Sequence, residues 1–422
     1  MNLTKFIDKL NNPQIVRVVL PLIVLLEIGR TFYHTNAVYI LSRALLFYFL
    51  IFAYTEVKKN KQLKVYIILV LLFALWALAT TIWSYDPIVT FPRAFYFAYV
   101  AVGAAIAGYL WYAYFSKSFL SFLLPANIII VVISLVSLIT NQPADAWTGG
   151  CGIGFMGFAP HQNTLGMMIL LTIPAVLFPS LKILNVKFQK SEIINSDFVH
   201  VSLLSSISYL LLLLLNIYLL ILTQSRGSII SILLMIITFL IFTINWKLLI
   251  TSGLTLVLFI TALFFASPQI RTSVTDYVFK TETVIGDRRT SQIKATLSAA
   301  QHGGLIGLGY GISDPQNVIP SEVQAGTRYY REKMISVLAL VEEVGVVGLG
   351  LFLAIIGYVL WGLINAKGKM LNDKWEGAFM IAVLVALSFD AQVEAWWLGA
   401  GSWQFCLFFA IIGCSIGVGK KQ

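Results

Sequence analysis

Apolar residues in this chain arrive in long runs, close to the ~20 residues a helix needs to cross ~30 Å of hydrocarbon. That run length constrains the fold more than any other feature. Inside a bilayer every backbone N–H and C=O must be satisfied within its own segment, so such runs read as α-helices. They are too long and too uniformly apolar for the ~10-residue alternating strands of a membrane barrel. Only 11% of the 422 residues are charged and 59% are hydrophobic, whereas a soluble domain carries roughly 25% charged residues, which excludes a water-soluble globule. The expectation is an all-α polytopic membrane protein with about twelve spans. They fall near 15–33, 37–56, 65–83, 93–115, 118–140, 161–181, 199–222, 227–245, 247–266, 334–364, 376–394 and 402–419. The chain thus divides into helices 1–9 (1–266), a hydrophilic segment (267–333) and helices 10–12 (334–422). Interfacial aromatics such as Trp83, Tyr85, Trp111, Tyr112 and Trp246 sit at run ends. The first run follows Lys5, Lys9 and Arg17 without a small-x-small cleavage pattern, so it reads as a retained span rather than a removed signal peptide.

Net charge is +10, but the basic residues lie in short loops between spans, which points to membrane orientation and not to nucleic acid. With the N-terminus inside, every inner segment is basic. The inner segments hold 17 of the 29 basic residues, all lysine except Arg17. The other twelve comprise nine arginines (Arg30, Arg43, Arg93, Arg226, Arg271, Arg288, Arg289, Arg328 and Arg331) with Lys280, Lys294 and Lys333. All twelve fall in outward loops or outer halves of spans. Lysine inside is orientation; arginine outside needs another cause. Snorkelling to the interface accounts for Arg30 and Arg93 equally well. For nine together, an anionic ligand is the better account, because the guanidinium fork binds phosphate oxygens bidentately.

The segment 267–333, between the ninth and tenth spans, is the single long hydrophilic stretch, and loops of that length in compact proteins are usually functional. Residues 289–302 place Ile293, Leu297 and Ala300 on one helical face, an amphipathic helix lying on the membrane or the bundle. A run of glycines follows at 303, 304, 307, 309 and 311. It lacks the Gly-Lys-Ser/Thr of a P-loop and any βαβ setting, and by itself reads as a turn ending the helix. Glu342 and Glu343 lie inside the tenth span, where carboxylates are costly and either functional or ion-paired. Cys151, Cys406 and Cys414 have no metal spacing and imply no disulfide framework, so no metal or cofactor is expected.

Several stretches resemble the bacterial O-antigen ligase and O-antigen polymerase superfamily. Thr223-Gln-Ser-Arg226-Gly227 is similar to its Ser-Arg-Gly element. Arg289, the amphipathic helix and Leu305-Ile-Gly307-Leu-Gly309-Tyr-Gly311 resemble its arginine–helix–glycine stretch. Glu332-Lys333…Ser336…Glu342-Glu343-Val-Gly345 resembles the start of its next span, and Pro160-His161-Gln-Asn163 also fits. The likeness covers roughly residues 150–365. It implies a metal-independent glycosyltransferase that moves glycan from an undecaprenyl-pyrophosphate-linked donor to a glycan or lipid-linked acceptor. The reaction would take place on the periplasmic face of the inner membrane. Arg226 and Arg289 match the two arginines thought to hold the pyrophosphate. Ligases that attach O-antigen to the lipid A core typically carry His-Asn where this chain has Met334 and Ile335. The Glu-Lys-x-x-Ser version is more similar to polymerase or exopolysaccharide branches.

On this reading Arg226 and Arg289 bind the pyrophosphate, assisted by Arg288, Arg328 or Arg331. The candidates for base or orienting group are Glu332, then Glu343, then His161, whose imidazole titrates near neutral pH. Asp390 and Glu394, beside Trp396, are candidates for binding sugar. A lipid-linked glycan flippase is the rival reading. It predicts two similar halves with broken helices, and no internal repeat is evident.

Overall fold

The computed structural model describes residues 12–33, 36–140, 155–189, 196–243, 283–317, 333–367, 374–399 and 401–420. Among the described residues the regular structure is helical throughout. The α-helices are α1 (Pro13–Tyr33), α2 (Asn36–Lys59), α3 (Lys61–Ala79), α4 (Pro87–Phe115), α5 (Leu124–Thr140), α6 (Gln162–Thr172), α7 (Pro174–Gln189), α8 (Ser196–Thr223) and α9 (Arg226–Thr243). Then follow α10 (Thr283–Gly303), α11 (Ser336–Lys367), α12 (Lys374–Val393) and α13 (Trp403–Lys420). Local signals set several starts. Asn60 accepts hydrogen bonds from the Gln62 and Leu63 amides ahead of α3. Asp86 accepts from the Val89 amide ahead of α4, whose first residue, Pro87, needs no donor.

Among the described residues, eight helices are long and apolar enough to cross a membrane, matching the expected spans at 37–56, 65–83, 93–115, 118–140, 199–222, 227–245, 334–364 and 376–394. The chain is a polytopic helical membrane protein. The expected span 161–181 is a bent pair, α6 and α7, meeting at 44°; Pro174 has no N–H to continue the ladder across Ile173. Helix α1 carries Arg17, Glu27 and Arg30 within its length, and α13 is a shorter apolar helix. The expected span 247–266 lies outside the described residues.

The core centres on α4, buried almost continuously from Val100 to Tyr112. Helix α13 packs on it backbone to backbone. A Cβ added at Gly108 would lie 1.8 Å from the Ala410 carbonyl, and one at Gly413 would lie 1.8 Å from the Ala105 carbonyl. Small residues permit this approach where lipid offers no hydrophobic drive for helices to associate. Polar side chains bind other helices. Asn127 of α5 donates to Thr172 of α6 at 3.0 Å and exchanges 2.9 Å hydrogen bonds with Asn216 of α8.

Helix α11 is interrupted at Gly345, whose φ of 71° and ψ of 179° are open essentially to glycine alone. The glycine-rich stretch after α10 fills the interruption. The Leu308 and Gly309 amides donate to the Glu342 and Glu343 carbonyls at 2.8 and 3.0 Å, and the Val346 and Val347 amides donate to Gly304 and Leu305 at 3.0 and 3.2 Å. What reads in sequence as a turn ending a helix is a backbone splice that fastens α10 to α11.

Candidate functional site

Polar residues converge at the end of the bundle where α6, α9 and α11 begin and α12 finishes. His161 precedes α6, its Nδ1 accepting the Asn163 amide at 3.1 Å. The Asn163 side chain donates to Glu394, just past α12, at 2.9 Å. Arg226 opens α9 after a tight turn. Gln224 there has a φ of 52°, in the left-handed region that non-glycine residues seldom occupy, and Thr223 Oγ1 accepts the Ser225 amide at 3.1 Å. A Cβ on neighbouring Gly227 would lie 3.8 Å from an Asp390 oxygen and 3.0 Å from Val393, so the head of α9 is seated on the tail of α12. His161, Asn163, Arg226 and Glu394 are all half-buried. The first turn of α9 adds the partial positive charge of a helix N-terminus beside the guanidinium, a setting suited to an anion.

Asp390 and Trp396 lie deeper than their expected sugar-binding role requires. Asp390 is buried and accepts from the Trp396 indole N–H at 3.1 Å and from Ser231 at 3.5 Å. The Trp396 ring is buried against Phe408, centroids 5.4 Å apart. Together they brace α12 against α9 and α13.

Glu342 and Glu343 are sealed from solvent. Glu343 accepts a 2.6 Å hydrogen bond from the Gly311 amide and a short one from Lys333. Lys333 also donates to the Ile312 carbonyl at 2.6 Å and stands 3.7 Å from Glu342. Glu342 accepts the Asp314 amide at 2.8 Å. Asp314 in turn accepts from the Asn317 side chain at 2.6 Å and the Gln316 amide at 2.9 Å, and lies 2.8 Å from His302 Nδ1. Burial pushes the Asp314 carboxyl upward, but the Gln316 amide, His302 and Asn317 outweigh it and hold it below the usual carboxylate range. Arg93 of α4 makes a short hydrogen bond to the Gly311 carbonyl.

This network joins the first group through α12. The Val337 amide donates to Gln392 at 3.1 Å, and the Trp397 amide to Ser336 at 3.3 Å. Arg288 and Arg289 are in the first turns of α10, and their side chains lie outside what the structure describes, as do the whole of Arg328, Arg331 and Glu332. On α10 the buried positions are Gln292, Thr296, Ala299 and Ala300, while Ile293 and Leu297 stay 43% and 48% exposed. Ile293 and Leu297 of the apolar stripe expected from sequence therefore face outward, while its third member, Ala300, belongs to the small, polar seam that packs on α11.

Sequence reasoning missed one buried cluster at the same end. Glu27 of α1 pairs with Arg43 of α2 at 2.9 Å, Arg30 donates to the Gly401 carbonyl at 2.5 Å, and both guanidiniums lie over the Tyr39 ring, at 4.2 and 5.1 Å. Glu27 sixteen residues before Arg43, in two outward-ending apolar runs, was the available signal. Among the described residues, no group of three or more His, Cys, Asp or Glu is gathered as a metal set.

Residues 211–353 match the family described as O-antigen ligase. That stretch begins in α8, includes Arg226, α9, α10 and the glycine splice, and ends just beyond the interruption of α11. It is similar to the O-antigen ligase family, in line with the resemblance its motifs carry. The match supports a membrane enzyme that transfers glycan in surface polysaccharide synthesis. Among curated proteins none matches the chain. The matched stretch holds part of the candidate site: the head of α9, the helix bearing Arg289 and the Glu342–Glu343 network. The superfamily's stretch is thus also the part of the chain whose backbone is spliced together.

Proposed function

We propose that the protein transfers or polymerises glycan from an undecaprenyl-pyrophosphate-linked donor, at the outward face of a cytoplasmic membrane that the chain crosses twelve times with both termini inside. The observation that carries this reading is the half-buried group of Arg226, Asn163 and Glu394, where the heads of α6 and α9 meet the tail of α12. Arg226 and Arg289 hold the pyrophosphate, with Arg288, Arg328 and Arg331 contributing further donors. The Glu394–Asn163 pair orients a sugar hydroxyl. In the reaction an acceptor hydroxyl oxygen bonds to the anomeric carbon as the bond from that carbon to the pyrophosphate oxygen breaks. The hydroxyl proton passes to a carboxylate, for which Glu332 is the first candidate. The leaving group is already stable, so the protein supplies charge stabilisation and orientation rather than strong acid catalysis.

Glu343 is a positioning residue in this scheme. Its carboxylate is occupied by Lys333 and the Gly311 amide, and it holds the splice that fixes α10. Arg289 lies on that same helix, about 21 Å along its axis from Gly303, so the splice sets where Arg289 can be. Polymerase activity is favoured over lipid A core ligation by Met334 and Ile335, which stand where ligases typically carry His-Asn.

The test is glycan transfer by purified protein in liposomes. Undecaprenyl-pyrophosphate oligosaccharide is supplied alone, then with a non-polyprenyl acceptor. A ladder from donor alone, lost in Arg226→Ala and Arg289→Ala, is the expected result. Product formed only with the second acceptor would make the protein a ligase. Donor crossing the bilayer with no product in either case would overturn the transferase reading in favour of a flippase.

A further inference from the structure

At the end of the bundle opposite the site, a crevice of about 210 Å³ opens where α3 begins and α11 and α13 finish. The chain fixes this placement. Helix α3 starts at Lys61 and is followed by Thr80, whose hydroxyl accepts the Tyr310 amide at the site end at 3.1 Å. Gly362 of α11 lies a further ~25 Å along the axis from Gly345. The walls are apolar side chains such as Leu363 and Ile416, and Trp361, 62% exposed, forms part of the rim.

Two features separate this crevice from an ordinary packing gap. Gly362 lies in the last turns of a span although glycine is the poorest helix former except proline. No neighbouring backbone requires it, because a Cβ there would meet only Gln62 Nε2, at 3.9 Å. The missing side chain therefore leaves room rather than allowing helix contact, unlike Gly108 or Gly413. The mouth is also basic. Lys61 lines it, and Lys58 and Lys64 are exposed one turn to either side, while the nearby acid, Glu56, is held by Lys59 at 3.0 Å.

Pockets for soluble ligands are larger, roughly 300–1,000 Å³, and bring several polar groups together. Here a narrow apolar slot ends in lysines at the headgroup level. An apolar slot left empty forfeits dispersion contacts with its walls, and basic pockets between spans hold acidic lipid headgroups. We propose that this crevice binds one anionic glycerophospholipid from the leaflet opposite the site, an acyl chain between α11 and α13 and the phosphate on Lys61. This inference needs the membrane fold but not the transferase reading.

The test uses full-length protein in phosphatidylcholine nanodiscs, with phosphatidylglycerol titrated in and bound lipid counted by native mass spectrometry. Wild type should retain one phosphatidylglycerol in preference to phosphatidylcholine. Gly362→Leu, which fills the slot where neighbouring atoms leave space, should weaken retention at least tenfold. Lys61→Gln, an exposed substitution, should keep a lipid but lose the headgroup preference. Equal retention of both lipids by wild type would overturn the proposal, as would unchanged retention by Gly362→Leu. A protein dimer abolished by Gly362→Leu would give the slot to a second copy and overturn it too. No glycan enters the assay, so its outcome is separate from that of the transfer test.

Discussion

At His161 the position of the side chain at the head of α6 sets its chemistry. A neutral ring whose Nδ1 accepts the Asn163 amide carries its proton on Nε2, and is then a donor rather than a base. The residue is accordingly expected to act as a helix cap. His161→Asn, which can accept the same amide, should keep both unfolding temperature and transfer rate. His161→Ala should cost about 1 kcal/mol of stability. An Asn variant that keeps its unfolding temperature but loses transfer would show that the ring itself takes part in the chemistry. Asp314 gives a pH prediction. Its carboxyl is held below its unfolded value of ~3.9, so its contribution is complete above that value and is lost as pH falls through the lower folded one. Thermal unfolding between pH 5 and pH 2, followed by circular dichroism, should fall less steeply in Asp314→Asn, which has no such carboxylate to protonate.

Among the elements, α11 offers an internal comparison between two glycines of the same helix. Gly345 has a φ of 71°, and an added Cβ would lie 2.1 Å from the Leu305 carbonyl. Gly345→Ala must therefore bear a positive-φ conformation essentially reserved for glycine, at ~1–3 kcal/mol, and break the splice as well. Gly350 has no neighbouring atom within 4 Å of an added Cβ. Gly350→Ala should leave the protein unchanged or stabilise it by roughly 0.5–1 kcal/mol. Unfolding midpoints in detergent would check the pair; similar midpoints for both would mean that the splice is not a fixed part of the fold. Glu343→Gln addresses the proposed positioning role. It should lower kcat with less change in donor KM, since it loosens α10 without removing a phosphate contact, and a change confined to KM would contradict this.

For the molecule as a whole, the proposed orientation places the turn before α4 outside and the turn after it inside. Tyr85 and Ser118 are both exposed, while the native Cys406 and Cys414 are buried. In a Cys151→Ser background, a membrane-impermeant maleimide added to intact cells should label Tyr85→Cys and spare Ser118→Cys. The reverse pattern would turn the bundle over and place the Arg226 group on the cytoplasmic side.

Run length and breaker residues were enough to read the helical class and the places of most spans from sequence, because a bilayer forces each segment to satisfy its own backbone. Arg226 and Arg289 were singled out in the sequence because arginine in the expected outward segments stands out against lysine in the expected inward ones. Side-chain depth was not legible. Asp390 and Trp396 look like sugar-binding residues in a linear reading, yet packing buries both. Periodicity shows that Ile293 and Leu297 share a face but not which way that face points. Nor does spacing reveal that Gly345 opens α11 to receive the glycine stretch, or that Asn163 meets Glu394. Those contacts join residues far apart in sequence, and their geometry exists only once the helices have packed.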